Sequence, residues 1–285
     1  MARPACLYCG APLPAEAVAA AAQSAVAGPD SPREASTRTI LVVDCASADA
    51  GILGAALDLS PYEAAQRHRR GGLSLEAVLG PASAEEEAAR LRADGLVVFL
   101  VPEVMARAEP WLAVAGTREK DGLRLRGASG SRHVSGPDLM LVVRGPIVRE
   151  YLAPFTRRKV QTTRLEDGYR FHLHLRSSRQ IVELDPGDFD FGAREKLFGS
   201  SLLEMGDWLE SLTQGAVVDD AFRHSTPALG PGTPGPAGPL AAVGALSRRV
   251  SSVRDKNEAT LHDNLRQFRF YSGWRGAVER LVTPA

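Results

Sequence analysis

Apolar positions along this chain recur with two different periods, and the change falls near Pro110. Before it, Ile40-Leu41-Val42-Val43-Asp44 is a short β-branched run that predicts a buried strand. Residues 49–70 follow with helical spacing as far as the break at Gly71-Gly72, and a short helical turn is expected over Leu75–Leu79. Ser83–Ala93 predicts a helix opened by a capping box, Ser83 with Glu86, and closed at Asp94-Gly95. Leu96–Val101 is a second buried strand, stopped by Pro102.

Beyond Pro110 the helical period gives way to alternation. Trp111–Ala115, Leu123–Arg126, Leu139–Arg144, Ile147–Tyr151, Tyr169–Leu175 and Ile181–Leu184 are short strands separated by Gly, Pro, Asp or Ser, a series that predicts an antiparallel sheet or small barrel. Tyr169, Phe171, Leu173 and Leu175 share one face of their strand, with Arg170, His172, His174 and then Arg176 on the other. One face is therefore expected in the core and the other in solvent. Leu202–Leu212 predicts a helix, and Thr226–Pro239 reads as an extended Pro/Gly connector. Leu261–Leu281 predicts an amphipathic helix rich in aromatic residues, weakened at Gly273 and Gly276.

The expected class is α+β: a small α/β sandwich module followed by an antiparallel sheet or barrel domain with a C-terminal helix. In boundaries, residues 1–14 form a cysteine knuckle and 15–39 an Ala/Pro-rich linker. The α/β module spans 40–104 and the β domain with its closing helix 110–222. A connector, 226–258, then leads to the terminal helix, 259–285.

Composition narrows the function classes. Lys and Arg number 34 and Asp and Glu 34, so a globally basic nucleic-acid binder is disfavoured and nucleic acid is an unlikely partner. Three cysteines cannot build a disulfide scaffold. No apolar run reaches the roughly 18 residues of a spanning helix, and the opening Met1-Ala2-Arg3-Pro4 lacks the apolar core of a signal peptide. A cytoplasmic, bacterial-type protein is expected.

The chemistry-bearing residues are few. Cys6-Leu7-Tyr8-Cys9-Gly10 places two thiolates on one tight turn, half of a tetrahedral Zn2+ site. Two thiolates from each of two chains would complete it, making a homodimer through the knuckle; the alternative, with half of the ligand set missing, is a degenerate or unoccupied knuckle. Cys45 reads as a packed apolar residue instead. His172 and His174, two apart on a strand, point to one face and with Asp185 or Asp188 would serve an acid/base or metal-dependent enzyme. Arg170 and Arg176 flank them and oppose a cation; the plainer expectation is a solvated sheet face. Asp185, Asp188 and Asp190 read as a turn with solvated acids, since Gly187 and Lys196 break a calcium-loop pattern. No Gly-x-Ser-x-Gly elbow and no phosphate loop occurs, and Gly230-Pro-Gly232-Thr-Pro-Gly235 lies in the connector with neither a strand before it nor a helix after it.

Three resemblances follow from these residues. Cys6 to Pro14 resembles the first knuckle of the zinc-ribbon family, without the second Cys pair. Leu57-Asp-Leu59-Ser-Pro-Tyr62-Glu63-Ala64, Arg70-Gly71-Gly72 and Ser83 to Gly95 together resemble the C-terminal domain of the bacterial ribosomal stalk protein over residues 40–101. That resemblance implies a small α/β protein-binding module; Ala65 stands where the family carries a basic residue. Residues 111–213 are similar in element order alone to a pleckstrin-homology-type domain. The first reading is accordingly an interaction or adaptor protein with an unidentified protein partner. Its contact residues are Tyr62, Arg67 and Arg70 on the module and Phe268, Tyr271 and Trp274 on the terminal segment, although aromatics at this helical spacing more often dock such a segment on its own chain, which is the favoured reading for them. The alternatives are the enzyme around His172 and His174, and a nucleic-acid-associated regulator using the knuckle and the basic clusters.

Overall fold

Arg38–Ala285 forms a unit separate from the residues that precede it. The computed structural model describes residues 38–156, 159–192, 200–225 and 260–283, all within that unit. The knuckle, the linker up to residue 37 and the connector lie outside the described residues. The α/β module and the β domain, separate in the sequence reading, belong to one compact unit.

The first part runs β1 (Thr39–Asp44), α1 (Ala50–Leu57), α2 (Pro61–Arg70), β2 (Leu73–Leu79), α3 (Pro81–Ala93), β3 (Val97–Pro102) and the short α4 (Glu103–Ala106). The strands pair antiparallel in the order β2-β1-β3. Residues 75–79 are therefore strand, where a helical turn was expected: Leu73–Leu79 is short enough to suit either state, and six backbone pairings to β1 decide it. Helix α3 starts two residues before the Ser83–Glu86 box, with Gly80 as N-cap and Pro81 in its first turn, so the missing N–H of Pro81 costs nothing there. The capping box that does form is Ser60 with Glu63 at the head of α2.

The second part comprises β4 (Trp111–Glu119), β5 (Gly122–Gly127), β6 (Gly130–Ser135), β7 (Leu139–Thr156), β8 (Lys159–Leu175), β9 (Ile181–Leu184), α5 (Ser200–Glu210), β10 (Val217–Asp219), α6 (Phe222–Ser225), β11 (Thr260–Asp263) and α7 (Leu265–Val282). Eight strands form one sheet in the order β10-β7-β8-β9-β4-β5-β6, with β11 also on β7. The fold is α+β, as expected, but this sheet is mixed, because β10 lies parallel to β7 and β4 parallel to β9. The two strands expected at 139–144 and 147–151 are one. Gly145 marks a close approach there, since a Cβ would sit 2.6 Å from the Phe222 ring.

Three cores stack the layers. Leu41, Val43, Leu53, Ala56, Ala64, Ala88 and Leu91 pack α1, α2 and α3 on one face of the small sheet. Its other face, with Ile40, Val42, Leu75 and Val101, shares a core with Phe268, Phe270, Tyr271 and Trp274 of α7 and with Leu141, Val143 and Ile147 of the large sheet. The far face of the large sheet packs on Met205, Trp208, Leu209 and Leu212 of α5 and the turn that follows it. Helix α7 is thus clamped between two sheets. Burying each of its large apolar side chains stabilises the fold by about 1.5–3 kcal/mol.

The expected weak points of α7 explain its position. A Cβ on Gly273 would lie 2.3 Å from the Ala106 carbonyl oxygen, and one on Gly276 would lie 2.2 Å from His174 Nδ1. Both glycines let neighbours reach the helix backbone, and the helix runs unbroken past them.

Candidate functional site

The polar side of β8 faces α7. Antiparallel pairing sets His172 opposite Val143 and Glu183, and His174 opposite Leu141 and Ile181, so the register alone brings a carboxylate beside an imidazole. On α7, residues 268, 272, 276 and 280 fall four apart on one stripe. The Phe268 ring meets the His172 ring edge-on at 4.7 Å, and Ser272 Oγ lies 2.8 Å from His174 Nε2. Gly276 abuts His174, and Arg280 donates to the carbonyls of Leu175 and Ser178. Asn264, ahead of the helix, accepts from the Val148 amide at 2.9 Å and donates to the Pro146 carbonyl, tying the helix entry to β7.

Both histidines are fully buried, against the expectation of a solvated face. The alternation along β8 was read with the correct residues on each face. Its polar face is covered because α7 supplies matching partners. His172 Nε2 lies 3.0 Å from Glu183 Oε2, and Arg269 donates to both oxygens of the same carboxylate at 2.7 and 3.0 Å. Arg170 lies between Glu183 and Asp185, in ion-pair contact with Asp185. Asp185 is consequently buried in an ion pair, whereas Asp188 and Asp190 are exposed as expected.

Burial dominates the protonation states. It holds the His172 imidazole below its ordinary range despite the favourable Glu183 carboxylate, and it holds His174 well below, helped by the charges of Arg280 and Arg275. Burial pushes Glu183 the other way, and hydrogen bonds from His172 and Arg269 overcome it to bring the carboxyl down to about 2. The seam is a neutral imidazole pair beside a fixed carboxylate and two guanidinium groups. Among the described residues, His172 Nδ1 has no hydrogen-bond partner.

A pH dependence follows. Unfolding releases both imidazoles to protonate near pH 6.5, so below that pH the unfolded chain binds more protons than the folded one. Stability is full above about pH 6.5 and falls as pH drops, by about 1.4 kcal/mol per pH unit for each imidazole. Below about 4.5, where an unfolded glutamate protonates, Glu183 adds a further decline that continues towards its folded value. Urea midpoints measured from pH 8 to 5 check this, and a flat profile would contradict it.

The other predicted residues are spread apart. Cys6 and Cys9 lie outside the described residues. Cys45 is buried, and burial, with Glu76 adding to it, pushes its thiol up to about 11, in keeping with a packed apolar role. On α2, Tyr62 is 71% exposed and Arg70 is exposed, while Arg67 is held by Glu76 of β2 at 2.5 Å. Phe268, Tyr271 and Trp274 are buried in the shared core and so are not a surface for a partner. Tyr271 also donates to Asp219, which pairs with Arg275 at 2.8 Å.

Sequence reasoning missed Glu183 and Arg269, because Glu183 sits in a run of apolar residues and Arg269 is 86 positions further on. It also missed a surface group: Glu119, Asp121 and His133 place ligand atoms within 4.8 Å of one another at the β4–β5 turn. There Arg124 already holds Glu119. No helix among the described residues is long and apolar enough to cross a membrane. Set against known protein families, curated proteins and solved structures, the α+β chain matches none.

Proposed function

We propose that this chain is an adaptor whose α/β module presents α2 to a partner protein carrying acidic groups. The observation that carries the reading is the exposed face of α2. Tyr62 stands in solvent on a helix fixed by its Ser60–Glu63 capping box, and the last turn carries exposed His68, Arg69 and Arg70. Among the described residues Arg70 has no ion-pair partner. Exposed Tyr and Arg side chains on one helix, here Tyr62 in its first turn and Arg70 in its last, are the usual energetic centres of a protein contact. The passage of α3 directly into β3 supports keeping the stalk-like resemblance within this proposal. The complete burial of His172 under α7 favours binding over the enzyme alternative, since a catalytic group must reach its substrate.

Photo-crosslinking with p-benzoylphenylalanine at position 62, against the same group at exposed Leu203, tests it. A discrete acidic protein captured only from position 62 is expected, with its affinity weakened on the order of tenfold by Tyr62→Ala or Arg70→Glu. Capture from both positions alike, or affinity unchanged in both variants, would reject α2 as the contact surface.

A further inference from the structure

A second feature of the α7 seam opens to solvent. A cavity of about 190 Å³ lies between α4, the turn joining β8 to β9, and the C-terminal half of α7. His174 and Gly276 line it together with the apolar side chains of Met105 and Ile181, while Arg179 and Arg280 supply its charge. Arg280 is fixed by its bonds to the carbonyls of Leu175 and Ser178, and Arg179 is exposed. Among the described residues neither guanidinium has a carboxylate within ion-pair distance. The two cations act on each other: burial and then the charge of Arg179 lower the pKa of Arg280, with Asp138 a weaker opposing influence. The chain has thus assembled an apolar recess with unneutralised positive charge, the general form of a site for a small amphipathic anion.

We propose that this cleft binds a small monocarboxylate with a short apolar tail, the carboxylate meeting Arg179 and Arg280 and the tail lying against Met105 and Ile181. A recess of about 190 Å³ has room for a carboxylate carrying a short apolar tail such as that of a four-carbon acid. The proposal is independent of the α2 surface. A ligand here would rest on His174 and on the backbone of α7, between the two sheets.

The test is a titration of the full chain with sodium butyrate at constant ionic strength, followed by amide shifts in the NMR spectrum. Saturable one-site binding with a Kd on the order of 1 mM is expected, its shifts centred on Gly273, Gly276 and Ile181. Butanamide, of the same shape without the charge, should shift nothing. Arg179→Gln, an exposed change that leaves the remaining spectrum intact, should weaken binding at least tenfold, and Ala108→Phe at the rim should block it. Shifts that do not saturate, equal binding of butanamide, or unchanged binding in Arg179→Gln would overturn the proposal. Inorganic phosphate binding as tightly as butyrate would overturn it too, by showing that the apolar recess contributes nothing.

Discussion

Gly276→Val should be among the most destabilising single substitutions in this chain, with a loss of about 3 kcal/mol or more on urea unfolding. The added Cβ would fall 2.2 Å from His174 Nδ1 and 2.3 Å from Cε1. The imidazole is tied in place, because its Nε2 is held by Ser272 on the same helix, one turn before the added Cβ. The helix would have to lift instead, and lifting it opens the core it shares with both sheets. Gly206→Ala on α5 is the control: a Cβ there meets nothing within 4 Å, so the helix gains roughly 0.5–1 kcal/mol. Equal effects from the two substitutions would show that α7 is not clamped.

Glu183→Gln should cost about 3–5 kcal/mol, because it removes the one carboxylate that His172 and Arg269 share and that also neighbours Arg170. Most of that loss is the penalty of removing a shared buried counter-ion from Arg170 and Arg269, which keep Asp185 and the exposed Glu109 as ion-pair partners, not the net worth of the pairs. The combination of Glu183→Leu, Arg269→Met and His172→Leu should therefore recover most of the stability, while Glu183→Gln alone does not. A small loss from Glu183→Gln would mean that Arg269 readily turns out to solvent, where a third of its side chain already lies.

The contrast between these two sites marks how far the sequence can be read. Elements defined by their own periodicity, such as β1, β3, β4, β9 and α5, are legible because the residues that shape them are local, whereas the helical spacing of 49–70 does not show its division into α1 and α2 at the left-handed Asp58 and the Ser60 cap. β6 is not legible, since Gly130–Ser135 is a polar strand with Val134 as its one buried large side chain, and its pairing with β5 defines it. The face of β8 was assigned correctly, yet its environment was inverted. Period two tells which residues share a side and not what lies on that side. The partners that make the buried histidines tolerable, Glu183, Arg269 and Ser272, come from β9 and from a helix beyond the connector. Gly273 and Gly276 carried the one local hint. They looked like breaks in an amphipathic helix, whereas a small residue in a strongly apolar helix also marks close packing.

Helix α7 joins the two sheets and the buried histidines, so amide hydrogen exchange of residues 265–282 tests its central place most directly. If α7 is the common core, its amides should exchange as slowly as those of β1 and β8 and in the same cooperative opening. If instead α7 exchanges ahead while β8 stays protected, the helix is a detachable cover. His172, His174 and Glu183 would then open to solvent, and the adaptor reading would give way to the enzyme.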